Sequence, residues 1–293
     1  YFPDRLGTLL SSRKKSMVSR VGDLCLIAAF SGIYMIYGVQ DFGHIFEVAQ
    51  IEGNLLSNNT WIGWLIIFGA ILKSAQFPFH TWLPDTMGAP TPVSALMHAG
   101  IINGGGYLVV RLSPVLVHTL GALHMLAIVG ALTAVYASMV MLSQTSVKRA
   151  LAYSTIAQMG FMLLQCGLGA FHLAVLHLVA HSLYKGHAFL SCGSAVETAK
   201  KLNAKPHYAQ LKPSRIWLAI GISFAIVLGL SIPFNLSPSD KPGMLVLSMV
   251  LVMALTQLLW TAMRRGQSGI AFAGTTGVAG SIAALYHLLA MVA

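Results

Sequence analysis

The chain has 293 residues, 56% of them hydrophobic and only 9% charged, with a formal net charge of +10. A soluble domain carries about 25% charged residues, so this composition excludes one and reads as a polytopic membrane protein. In a soluble protein the positive excess would point to nucleic acid. Here it collects in short loops between apolar runs, so it reads as a topology signal, with a lipid bilayer as the surroundings and no nucleic-acid partner.

Apolar runs closed by charged residues or by Pro, Gly and Asn predict nine helices, near 17–39, 60–83, 92–111, 119–143, 148–167, 170–193, 215–234, 243–263 and 268–291. Crossing a hydrocarbon core of roughly 30 Å takes about 20 such residues. The alternating ten-residue pattern of barrel strands is absent. The predicted fold class is therefore all-α, a polytopic membrane helical bundle. Residues 1–16 read as a cytoplasmic N-terminal segment, 17–196 as the core, 197–214 as a basic cytoplasmic loop and 215–293 as C-terminal transmembrane helices. That loop is either solvated or a docking site for a partner. Lys and Arg gather in alternate loops, which places the N-terminus in the cytoplasm and, with an odd number of spans, the C-terminus on the far side. The opening YFPDRLG has neither an initiating Met nor a signal peptide and reads as the interior of a longer protein. Cys25, Cys166 and Cys192 lie in apolar runs without metal-type spacing and read as buried free thiols.

In chain order, the first predicted helix carries Arg20 and Asp23, i, i+3 neighbours that form either a structural ion pair or the counter-charge of a lysine elsewhere. The second carries Lys73 about twelve residues from its start, followed by Pro78 and Pro84. A protonated lysine at that depth costs at least about 2.5 kcal/mol, so it should face a polar or hydrated bundle interior. Pro78 removes a backbone donor and predicts a broken helix just after Lys73, the kind of interruption that marks ion sites in membranes. The third helix holds His98, with Asn103 and glycines 104–106 permitting close contact or flexibility behind it.

The sixth helix reads LHLVAHSLYKGHAFL. His177, His181 and Lys185 stand at i, i+4, i+8, about 6 Å of rise apart on nearly one face, with His187 on another. A row of groups that each take up or release a proton where water is scarce is how a relay is written in sequence. Two histidines one turn apart on one helix do not clasp a haem from opposite sides, which argues against a membrane cytochrome. No Cys/His/Asp cluster suited to zinc appears, so no cofactor is expected in this chain.

The run KSAQFPFHTWLPDTMGAPTPVSALMHAGIINGGGYLVVR, followed by VKRALAYSTIAQMGFMLLQCGLG and HLVAHSLYKGHAFLSCGSAV, resembles the antiporter-like proton-translocating membrane subunits. These include the NuoL-type subunit of respiratory NADH dehydrogenase and the large subunits of Mrp cation/proton antiporters. The resemblance covers about residues 12–197. It implies an inverted-repeat fold and a proton route across the bundle. Lys73 then matches the family's lysine on the broken helix, His98 the connecting histidine, and Lys185 the central lysine of the exit half, preceded by His177 and His181. Arg20 and Asp23 match the charged pair flanking the inlet. Two departures stand out: the glutamate that partners the first lysine belongs upstream of Tyr1, and IWLAIGISFAIVLGLSIPF lacks the terminal lysine of NuoL-like subunits.

Within the family, MGFMLLQCGLGAFHLAVLHLVAHSLYKGHAFLSCGS looks most like the DabB branch, the membrane subunits of two-component inorganic-carbon pumps. That branch implies a transporter subunit of the cell inner membrane, conducting protons or another cation and coupled to a DabA-type peripheral subunit that carries zinc. The alternative the family leaves open is a subunit of an NADH-quinone oxidoreductase or of a sodium/proton antiporter.

Overall fold

The computed structural model describes residues 6–38, 41–51, 58–193, 214–232, 242–264 and 269–292, and every regular element among them is helical. The chain divides into two compact units, 1–196 and 197–293. The basic connection expected over 197–214 lies, apart from Ser214, outside the described residues.

The first unit contains α1 (Leu6–Tyr37), α2 (Phe42–Ile51), α3 (Trp61–Lys73), α4 (Thr91–Ala99), α5 (Gly104–Arg111), α6 (Leu120–Leu142), α7 (Val147–Gly167) and α8 (Phe171–Ser191). The second contains α9 (Ser214–Ser231), α10 (Pro242–Arg264) and α11 (Gly269–Val292), which pack on one another around Val227, Leu255, Ala279 and Ala283. Four segments are long and apolar enough to cross a membrane by length and composition: α1, α4 through α5, α6 and α10. α3 is a shorter apolar helix of 13 residues, about 20 Å long.

Three expectations are corrected. Helix α1 begins at Leu6 and not near residue 17, so most of the segment read as an N-terminal tail is helical. It is tied down by Ser11, whose hydroxyl donates to the Asp85 carbonyl at 2.9 Å, and by a 2.8 Å ion pair from Lys14 to Asp85. Residues 42–51, read as loop, form α2. Phe42, Ile45, Phe46 and Ala49 repeat at helical spacing, and the Arg111 guanidinium lies 5.8 and 5.2 Å from the Phe42 and Phe46 rings. The predicted helix 92–111 is interrupted at Gly100 by a 3-10 turn over Ile101–Asn103, where Asn103 Nδ2 donates to the Ala99 carbonyl.

Packing follows membrane rules. Along α6 the buried positions are Ala122, Leu123, Leu126, Gly130, Thr133 and Ala137, whereas Ile128, Leu132, Val135 and Met139 are exposed. Four of the six inward positions are small residues, which let neighbouring helices approach closely. α6 crosses α7 closely. A Cβ at Gly160 would lie 2.7 Å from the Gly130 carbonyl oxygen and 2.8 Å from Ala134 N, both backbone atoms that yield only if the helices part. Gly160→Val is expected to cost about 1–3 kcal/mol, read as a lower Tm of the detergent-solubilised protein. An unchanged Tm would mean the two backbones are not in contact there.

Candidate functional site

All candidate side chains fall in the first unit. They form two groups held by different helix pairs.

The first group sits where α1 crosses α3. Gly22 and Gly69 face each other there: a Cβ on Gly69 would meet Leu26 at 2.8 Å and the Gly22 carbonyl at 3.3 Å. That close approach brings Asp23 Oδ1 within 2.5 Å of Lys73 Nζ. Asp23 thus pairs with Lys73 on another helix, and no ion pair joins it to Arg20 among the described residues. Arg20 lines the cavity beside the pair. The Lys73 and Asp23 side chains are 28% and 51% exposed, so the pair is not enclosed in the core of this unit.

Immediately after Lys73 the helix stops. Ser74 closes it, Ala75 turns the chain with φ 50 in the left-handed region, and Pro78 precedes a 3-10 turn over Phe79–Thr81. A non-glycine residue there carries strain of about 1–2 kcal/mol, held in place by polar ties. The Ser74 carbonyl, which the break leaves without a helical donor, accepts from Gln76 Nε2 at 2.8 Å, and Phe77 N donates to Thr133 Oγ1 on α6 at 3.1 Å. The Ser74 hydroxyl is buried and makes no hydrogen bond.

The second group lies between α7, α8 and α4. Lys185 is fully buried and is among the largest side chains with no exposure. Its Nζ donates to Ser154 Oγ at 2.8 Å and to the Leu151 carbonyl at 3.3 Å. Of the ion pairs among the described residues, Lys14–Asp85 and Lys73–Asp23, neither involves Lys185. A charge in so low a dielectric is sensitive to any other arriving nearby: at 4 Å and an effective dielectric of 20, the interaction is about 4 kcal/mol.

His98 is also fully buried, with its ring 4.4 Å from Phe189 and nearly parallel to it. Its Nδ1 lies 3.1 Å from Thr155 Oγ1, and Thr155 spends its own hydroxyl proton on the Leu151 carbonyl at 3.0 Å. The oxygen therefore accepts, Nδ1 carries the hydrogen, and Nε2 is left as a buried lone pair without a partner. His181 is buried with both ring nitrogens unpartnered, and its ring is 6.2 Å from that of His177.

Ser154 and Thr155 were not singled out in the sequence, although Leu151, Ser154 and Thr155 share one face of α7 at i, i+3, i+4. Asn103 and Ser182 were missed as a pair too: Asn103 Nδ2 donates to Ser182 Oγ at 2.8 Å and ties the broken α4–α5 segment to α8. No hydrogen bond among the described residues joins the Lys73 pair to the Lys185 group. What lies between is Ser74, the Gly105 backbone packed against its hydroxyl, and the Asn103–Ser182 bond one turn from Lys185. His98 stands with Lys185's partners and not beside Lys73. Among the described residues no group of three or more His, Cys, Asp or Glu side chains is placed to hold a metal ion.

The chain belongs to the NADH:quinone oxidoreductase/Mrp antiporter transmembrane family, whose match covers residues 2–268. It is 46% identical over 221 residues to a protein of Halothiobacillus neapolitanus described as a probable inorganic carbon transporter subunit DabB1, covering 71% of this chain and 40% of that one. With the probable inorganic carbon transporter subunit DabB of Hydrogenovibrio crunogenus the identity is 40%, over 91% of this chain and 50% of that one. This chain thus spans half or less of the length of these relatives. In fold it is similar to a chain of the Mrp complex from a Dietzia species, with a TM-score of 0.60 at 24% identity, covering 98% of this chain and 31% of that one.

Proposed function

We propose that this chain is the ion-conducting part of a membrane subunit that drives inorganic-carbon accumulation. Protons or another cation pass down their gradient through Lys73 and Lys185, and the change in lysine charge is transmitted to a bound peripheral subunit of the DabA type. Work of this kind requires that lysine protonation bind one state of the assembly better than another, so the coupling is a free-energy difference between two states. Hydration of carbon dioxide, and the zinc that serves it, are assigned to that partner. The chain crosses the cell inner membrane nine times in an inverted-repeat arrangement, with Arg20 and Asp23 at the inlet and His98, His177 and His181 along the route.

The observation that carries this reading is Lys185, a wholly buried amine held by a hydroxyl and a carbonyl in a row with the buried His181 and the half-buried His177. The degree of identity to DabB proteins supports the carbon-pump assignment within the family. The test is ion flux in liposomes holding the full-length protein, with and without its soluble partner. Gradient-driven flux that vanishes in Lys73→Met is expected, and flux equal to wild type in that variant would remove the reading. The family also contains subunits of NADH:quinone oxidoreductase, which makes a proton-pumping subunit of such a complex, or of an Mrp-type sodium/proton antiporter, the second reading. Copurification with a large zinc-containing soluble subunit decides for the first; copurification with redox or antiporter subunits decides for the second.

A further inference from the structure

Where α1 meets α2 the surface opens into a cleft of about 540 Å³, lined chiefly by Ile27, Phe30, Tyr34 and Met35 of α1, by Phe42 of α2 and by Leu112 just after α5. Ile27, Tyr34 and Met35 are exposed there, an apolar patch of the kind that meets lipid or a partner. From Ile27 to Met35 the α1 wall runs about 12 Å at 1.5 Å per residue. That is close to the depth of one leaflet, half of a hydrocarbon core of roughly 30 Å. The mouth of the cleft stands at headgroup level. Trp61, which packs on Gly32, and Tyr34 are 47% and 51% exposed, and exposed Trp and Tyr gather at the membrane–water interface. α1 itself ends one turn further on, at Tyr37.

Arg111 stands at that mouth. It precedes Leu112 in the chain, and its guanidinium lies over the ring of Phe42, which lines the cleft, and over that of Phe46. A ring face attracts the cation without using its N–H donors, and five such donors in a planar fork match the oxygens of a phosphate. Arg111 is exposed and belongs to neither ion pair among the described residues. Asp41 and Glu47 flank the same aromatic residues in sequence, yet neither reaches Arg111 at ion-pair distance, and Asp41 spends one oxygen on the His44 N–H at 3.0 Å. An apolar slot one leaflet deep with a cation at its headgroup end has the polarity of a phospholipid. A purely apolar helix would cover the slot and leave the guanidinium without an anion.

We infer that the α1–α2 cleft is a binding site for one phospholipid, with an acyl chain along Ile27–Met35 and the phosphate on Arg111. The full-length protein in liposomes is irradiated with a phosphatidylglycerol whose acyl chain carries a diazirine, and the labelled peptides are mapped by mass spectrometry. Label on Ile27, Tyr34 and Met35 is expected at least fivefold above that on Ile128, Leu132 and Val135, the exposed apolar side of α6. A diacylglycerol with the same chain and no phosphate is expected to label the two places alike. Arg111→Gln is expected to lower the cleft label at least fivefold and leave the α6 label unchanged. Ser31→Trp, which keeps the arginine and sets a ring inside the cleft, is expected to do the same, so either variant serves if the other fails to fold. Cleft label equal to that on α6 would show bulk lipid only and overturn the site. Absence of cleft label would overturn it too, showing the cleft filled by another segment of the full chain or by a partner helix. Undiminished cleft label in Arg111→Gln would rule out the phosphate contact and with it the proposal.

Discussion

Lys185→Met is expected to bring gradient-driven flux in liposomes down to that of protein-free vesicles, while the Tm in detergent equals or exceeds that of the wild type. Methionine matches the length of the lysine stem and needs no hydrogen bond. Exchanging buried ionic groups for apolar ones of similar volume is often neutral or stabilising by about 1–4 kcal/mol. The groups left behind are modestly affected. The Leu151 carbonyl keeps its bond from Thr155, and Ser154 loses one donor, a cost on the order of 1 kcal/mol. A scaffold lysine would show the opposite combination, with stability falling and flux following it. Flux that survives the substitution, or flux lost only together with a Tm lowered by more than about 5 °C, a shift of order 1–2 kcal/mol for a chain this size, would end the relay assignment.

Asp23→Asn is expected to slow flux at least tenfold with little change in Tm. The two side chains of the Asp23–Lys73 pair are 51% and 28% exposed, so its net contribution to stability is that of a surface pair, on the order of 1 kcal/mol or less. A tenfold rate change requires about 1.4 kcal/mol at the barrier, which loss of one contacting charge supplies even after solvent screening. Asparagine keeps the shape and removes the charge; Asp23→Glu keeps the charge and is expected to restore part of the flux. Wild-type flux in Asp23→Asn would assign the counter-charge of Lys73 to another carboxylate. Equal loss in the Asn and Glu variants would make the residue a matter of fit and not of charge.

Both predictions concern residues visible in the bare sequence, because a charge inside an apolar run is conspicuous wherever it occurs. The membrane class and the all-α fold were equally legible, and most helix ends from α6 onward lie within two or three residues of the apolar runs. The stop after Lys73 was legible through Pro78. The helical pattern of Phe42, Ile45, Phe46 and Ala49 was present in the sequence as well, but Asp41 and Glu47 marked the segment as loop, and α2 was missed.

Helical periodicity is a local property, so the sequence alone determined which residues share a face, as His177, His181 and Lys185 do on α8. Which face meets which neighbour was decided only by tertiary structure. Asp23 pairs with Lys73 and not with Arg20 because Gly22 and Gly69 let two backbones approach across 50 positions of chain. Lys185 finds its hydroxyl and carbonyl on α7, 31 and 34 positions away. Such choices depend on small gaps between helix surfaces, and a one-dimensional pattern of polar and apolar residues does not encode the size of a gap.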